Sequence, residues 1–151
     1  YKPLAIQARV LSVSKEFDLK DIVSLTEFPG MSPEVITSLV ENNGAKAFIL
    51  RSFGAGDPNA RLFPAFEYLK EKQIPIIVTT QAPSGIANFQ VNETGQFLKE
   101  NDLAIPAYDM SIETMTVKLG WLLAQGASYE TIKTKMVEDM HGEINIGAEL
   151  I

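Results

Sequence analysis

The sequence has no cysteine, one histidine, one tryptophan and no excess of positive charge. Without cysteine there can be no disulfide, no thiolate metal ligand and no cysteine nucleophile, a composition that suits a reducing compartment. The single histidine, His141, falls after the last helical pattern and reads as a solvated tail residue. With only scattered acids such as Asp139 and Glu143 near it, no metal-ligand spacing is met, so neither a metal nor a cofactor is expected. Thirteen basic against nineteen acidic residues leave a formal charge of −6, and no basic stripe stands ready for a phosphate backbone. Nucleic acid is therefore not an expected partner. No apolar run approaches the ~20 residues of a membrane span and no signal-peptide pattern is present, so a soluble, cytoplasmic protein away from membranes is expected. The chain opens Tyr1-Lys2-Pro3, which reads as a piece cut from something longer.

What is present suits one domain: 151 residues can bury roughly 70% of their unfolded surface without a staple. Residues 21–28 alternate apolar and polar side chains and stop at Pro29-Gly30, the pattern of a strand and a turn. Ser32-Pro33-Glu34 supplies an N-cap, a first-position proline and a first-turn acid, and Val35, Ile36, Leu39 and Val40 form one face of a helix ending near Asn43-Gly44. Ala47 to Leu50 is a short continuous apolar run, as in a strand covered on both faces. Phe63, Phe66 and Leu69 recur at helical spacing, with Pro64 placed in the first turn. Pro75 to Thr80 is a third strand with its proline at the entry. A helix near 94–101, an edge strand within 103–107, a helix capped by Ser111 with Ile112, Met115, Leu119, Leu122 and Leu123 on one stripe, and a last helix capped by Ser128 with Ile132, Met136 and Met140 complete the pattern. Trp121 falls off that stripe, toward another domain or subunit.

The βαβαβ order predicts an α/β fold: three layers, α/β/α, around a small, mostly parallel sheet of about four strands. Residues 1–20, with weak alternation around Val10, Leu11 and Val13, read as a linker or an added strand, and 21–151 as the domain. Gly, Thr, Asp and Arg collect in 51–57, 79–85 and 92–95, the first two directly after apolar strands, where parallel sheets carry ligand sites. Gly54-x-Gly56 lacks the third glycine of a dinucleotide fingerprint and follows the second strand, so it argues against nucleotide binding.

Several segments, in order, resemble the C-terminal domain of the cytoplasmic (type I) L-asparaginases of the asparaginase/glutaminase family. Phe28-Pro29-Gly30 is similar to an aromatic-Pro-Gly turn, and Ile49 to Asp57 to Leu-Arg-Ser-Tyr-Gly-x-Gly-Asn. Thr80 to Gly85 is similar to Thr-Gln-Cys-x-Ser-Gly, and Thr94-Gly95 to a Thr-Gly pair. Asp109-Met110-Ser111 with Lys118-Leu119, and His141-Gly142-Glu143-Ile144, resemble the family's Asp-Met-Thr, Lys-Leu and Arg-Gly-Glu-Leu segments. The resemblance covers roughly residues 21 to 145.

It implies an enzyme that hydrolyses L-asparagine to L-aspartate and ammonia through an acyl-enzyme on a threonine. The threonine segments of that chemistry belong to an N-terminal catalytic domain and are missing from this chain. No catalytic residue is therefore expected here, and the isolated domain is expected to be inactive. Its implied role is to complete an active site and an oligomer interface, with its own N-terminal domain and a homodimer or homotetramer as partners. Asp57 stands where the family's asparagine reaches a neighbouring subunit's substrate; it also reads as an ordinary turn residue before Pro58. Arg51, Thr80, Gln81 and Ala82 match an allosteric L-asparagine site, although Ala82 replaces the family's cysteine. Arg51 at the end of an apolar strand has two readings: a fork for a ligand carboxylate, or an ion pair with Glu27 on the adjoining strand end. Two further functions stay open beside the first, a regulatory amino-acid-binding module and the asparaginase-like domain of a tRNA-dependent amidotransferase subunit.

Overall fold

The computed structural model describes residues 19–145. Residues 1–18 lie outside that range, so the reading of 1–20 as linker or added strand meets structure only at Leu19–Asp21, one turn of 3-10 helix.

Four strands, β1 (Ile22–Thr26), β2 (Ala47–Ser52), β3 (Ile76–Thr80) and β4 (Ile105–Pro106), form one parallel sheet in the order β1-β2-β3-β4. Five helices, α1 (Pro33–Asn43), α2 (Phe63–Glu71), α3 (Glu93–Glu100), α4 (Ile112–Ala124) and α5 (Tyr129–Met136), complete the described residues. Each strand is laid beside the previous one. Crossovers that share one hand then deposit their helices on one face, and α1, α2 and α3 pack there against Val23, Leu25, Phe48, Leu50, Ile76 and Val78. The opposite face, with Ala47, Ile49, Ile77 and Ile105, would be left open by these crossovers. α4 and α5 cover it through Met115, Leu119, Leu122, Ile132 and Met136. The three layers expected from the sequence are thus present, and the sandwiched position of β2 and β3 explains why both read as continuous apolar runs.

Local signals mark most boundaries. Gly44 ends α1 in the left-handed region at φ 67, its N–H returning to Leu39 and Val40 carbonyls. Ser111 and Ser128 accept the N–H groups of Thr114 and Thr131 at the starts of α4 and α5. Ser32 holds the N-cap position of α1 but makes no side-chain cap bond; its hydroxyl and the Glu34 backbone N–H hold the Glu34 carboxyl below its ordinary value. Two sequence expectations shift. The edge strand shrinks to Ile105 and Pro106, with one further bond from the Ala107 N–H to Val78 O at 3.0 Å. Met140 does not continue α5, which stops at Met136, since its N–H is drawn to the Glu143 carboxylate at 3.2 Å. Trp121 is half-buried against the α4/α5 side of the core.

Candidate functional site: the rim at the strand ends

β1, β2 and β3 stop together, and the loops that follow them meet. The Glu27 N–H donates to Arg51 O at 2.9 Å and the Gln81 N–H to Ser52 O at 2.8 Å, which extends the sheet by one step. Gln81 Nε2 then donates to Glu27 O (2.6 Å) and Arg51 O (3.0 Å), binding all three strand ends through one side chain. Thr80 Oγ1 donates to Gly54 O at 2.5 Å and accepts the Ala82 N–H at 2.9 Å. The side chains of Thr80 and Gln81 are therefore spent on backbone partners and give the rim its shape, while Ala82 is exposed.

Arg51 differs from these. It is exposed, and its guanidinium has no hydrogen-bond or ion-pair partner among the described residues. The ion pair with Glu27 considered from the sequence is not formed, and strand alternation explains why. Arg51 shares parity with Ala47 and Ile49 on the α4/α5 face, whereas Glu27 shares parity with Val23 and Leu25 on the α1/α2 face. There Glu27 is 2% exposed, and its carboxylate accepts Ser52 Oγ at 2.5 Å and the Asn59 N–H at 2.9 Å. From the sequence Glu27 figured only as a partner for Arg51, not as a buried acid. The signal was present, because the alternation that buries Val23 and Leu25 also points position 27 inward.

Asp57 sits at the close of the turn that begins at Phe53, whose carbonyl accepts the N–H groups of Gly56 (3.0 Å) and Asp57 (2.8 Å). Its carboxylate points toward the start of α3: Oδ2 accepts the Ala55 N–H at 3.2 Å and a short bond from Asn92 Nδ2, the side chain at the N-cap of α3. Asn92 occupies the cap position of α3 but makes no side-chain cap bond. Asp57 Oδ1 is buried without a hydrogen-bond partner among the described residues. It lies at the first turn of a helix, where the N-terminal backbone groups favour a negative charge.

The Thr94-Gly95 pair now has a physical reason. A Cβ on Gly95 would stand 2.9 Å from Asp57 Oδ1 and 3.0 Å from Phe89 Cα, and Phe89 is buried and already held at φ 60. Alanine gains about 1 kcal/mol over glycine within a helix, whereas overpacking against fixed groups costs about 1–3 kcal/mol. Because one of the two contacts is backbone, the overpacking prevails. Gly95→Ala is expected to lower stability by about 1–2 kcal/mol in urea unfolding, and a stabilised variant would show that Phe89 yields easily.

Arg51, Thr80, Gln81 and Ala82 thus gather on one rim, with Asp57 on the adjoining loop turned inward to Asn92. His141 lies apart, exposed in the tail, with its N–H on Glu143 Oε2 at 2.6 Å.

The fold has known counterparts. A family model described as the glutaminase/asparaginase C-terminal domain matches residues 21–136. Among solved structures, L-asparaginase I from Vibrio cholerae superposes with a TM-score of 0.72 at 32% identity, over 84% of this chain and 38% of that one. The thermostable L-asparaginase from Thermococcus kodakarensis gives 0.72 at 31% identity, over 82% and 38%. Among curated proteins, a glutamyl-tRNA(Gln) amidotransferase subunit of Aeropyrum pernix is 30% identical over 135 residues, 89% of this chain and 31% of that protein. Its namesake from Thermococcus kodakarensis is 31% identical over 134 residues, 89% and 30%. The chain spans about a third of the length of these relatives. By its matched residues and its superposable sheet and helices, the chain belongs to the glutaminase/asparaginase C-terminal domain family.

Proposed function

We propose that this domain serves an L-asparaginase, hydrolysing L-asparagine to L-aspartate and ammonia together with an N-terminal catalytic domain that supplies the threonine nucleophile. The observation that carries this reading is the open guanidinium of Arg51 on a rim pre-shaped by Thr80 and Gln81, at the ends of a parallel sheet. In the assembled enzyme, a cytoplasmic homodimer or homotetramer, the loop carrying Asp57 faces a neighbouring subunit's substrate. Asp57 acts there as an acceptor for the substrate ammonium once the contact with Asn92 relaxes.

The chain by itself is expected to release no ammonia from L-asparagine, whereas the longer polypeptide of its gene does. Release by the purified chain above buffer, lost in Thr80→Val or Asp57→Ala, would place the chemistry within these residues and overturn the reading.

Arg51 also gives the domain a regulatory role: it takes the α-carboxylate of free L-asparagine, with Thr80, Gln81 and Ala82 forming the surrounding wall. Millimolar L-asparagine is then expected to raise the melting temperature of the chain, and Arg51→Ala to abolish the rise. No rise in the unsubstituted chain would sink this role. The curated relatives named as glutamyl-tRNA(Gln) amidotransferase subunits favour a second reading, in which the domain belongs to such a protein. L-asparagine hydrolysis by the longer polypeptide without any tRNA supports the first reading; hydrolysis that requires tRNA supports the second.

A further inference from the structure

On the α1/α2 side of the strand ends lies a cleft of about 180 Å³, separate from Arg51 and its rim. Its walls are apolar and pre-formed. Phe28-Pro29-Gly30-Met31 is a tight turn with Gly30 at φ 89 and the Met31 N–H on Phe28 O at 3.0 Å, a geometry that proline and glycine make rigid. Phe53 also lines the cleft, and Phe28 keeps 53% of its surface exposed.

Two charged groups of opposite sign also line the cleft. Glu27 is 2% exposed and spends one hydrogen bond on each oxygen, to Ser52 Oγ and to the Asn59 N–H. A carboxylate pair offers about four lone-pair positions, so acceptor capacity remains. Arg61 stands on the short 3-10 turn Ala60–Leu62, which Asn59 starts by accepting the Arg61 N–H at 2.9 Å. Its guanidinium is exposed and has no partner among the described residues. Asn59 thus links the two charges: its N–H holds Glu27 and its side chain holds the backbone of Arg61.

We propose that this cleft is a binding site for a small zwitterion, a free α-amino acid with an apolar side chain. The ammonium meets Glu27, the carboxylate meets the Arg61 fork, and the side chain packs among Phe28, Met31 and Phe53. Size agrees: a dry cavity of about 150 Å³ holds benzene, so this cleft takes a side chain of the leucine class. Chemistry agrees as well. A simple amine would leave Arg61 unanswered, and a simple carboxylate would face Glu27 without compensation.

L-leucine is the probe, added at millimolar concentration to the 151-residue chain and followed by amide NMR shifts and by melting temperature. Saturable shifts at Phe28, Phe53 and Arg61 are expected, together with a rise in melting temperature. 4-Methylpentanoate, which lacks the ammonium, and 3-methylbutylamine, which lacks the carboxylate, are each expected to bind about tenfold more weakly or worse, the loss of one charge-assisted contact. Arg61→Gln, at an exposed position, is expected to leave the unliganded melting temperature unchanged and to weaken L-leucine by about tenfold, while Arg51→Ala leaves it unaffected. The inference is overturned by an absence of saturable shifts, by either analogue equalling L-leucine, by wild-type affinity in Arg61→Gln, or by loss of binding in Arg51→Ala.

Discussion

Gly56→Ala is expected to destabilise the chain by about 3 kcal/mol, lowering the urea midpoint without changing the slope. Two effects add. Gly56 has φ 82, and an L-residue held in the left-handed region costs roughly 1–2 kcal/mol. A Cβ there would also stand 2.7 Å from Ala87 Cβ, 3.4 Å from Ala87 Cα and 3.7 Å from Val78 Cγ1. Ala87 has no room to retreat. It is fully buried, and reciprocal hydrogen bonds with Tyr108 (3.1 and 2.9 Å) clamp its backbone. Gly44 is the control, since it has φ 67 but nothing within 4 Å of its would-be Cβ. Gly44→Ala therefore isolates the backbone effect at about 1 kcal/mol. If the two variants prove equally stable, the close approach of Gly56 to Ala87 is not what holds the loop. Since Asp57 follows directly, the same variant is also expected to displace its carboxylate from Asn92.

Lys118→Met is expected to cost about 3 kcal/mol, an amount typical of removing one partner from a largely buried ion pair. Lys118 is 8% exposed within α4, and its ammonium donates to Glu143 Oε1 (2.7 Å), Glu138 O (2.6 Å) and Met136 O (3.3 Å). The pair thus anchors the tail after α5, where Ile144 is buried in the same layer and the Asn145 N–H reaches Asp109 at 2.8 Å. Burial pushes the Glu143 carboxyl upward, but the Lys118 ammonium and the backbone N–H groups of His141, Glu143 and Met140 outweigh it and hold the group at about 2.

The sign of the pH dependence follows. A carboxyl held below its ordinary value of 4.5 favours the folded state when ionised, so this contribution is complete above about pH 5 and is lost as pH falls toward about 2. Urea unfolding at about pH 6 and about pH 3 is expected to show a larger drop for the unsubstituted chain than for Glu143→Gln, which lacks the titrating group. Parallel losses in the two proteins would show that Glu143 is not the group responsible.

Element order was legible because periodicity and caps are local. The apolar run at Ala47–Leu50 reads as a doubly covered strand and is one, and the third strand read at 75–80 forms as Ile76–Thr80. Gly44, Ser111 and Ser128 marked helix ends that the structure keeps. Where local reading erred, a distant partner had claimed the group. Glu27, considered as an ion-pair partner for Arg51, is held instead by Ser52 and Asn59, 25 and 32 residues away. The resemblance of Lys118 and Glu143 to family segments picked them out without disclosing that they bond each other across 25 residues.

The sequence by itself determined the α/β class, the strand order in the chain and the gathering of Arg51, Thr80, Gln81 and Asp57 near strand ends. Hydrophobic spacing encodes which side of each element is buried, and a parallel sheet leaves little freedom for where its loops emerge. Only the tertiary structure decided what those side chains face: Arg51 open on one side of the sheet, Glu27 enclosed on the other, Asp57 turned to α3, Gln81 spent on the strand ends. These outcomes depend on atoms brought within about 3 Å from positions far apart in the chain, and hydrogen bonds of that length depend on geometry that no local pattern encodes.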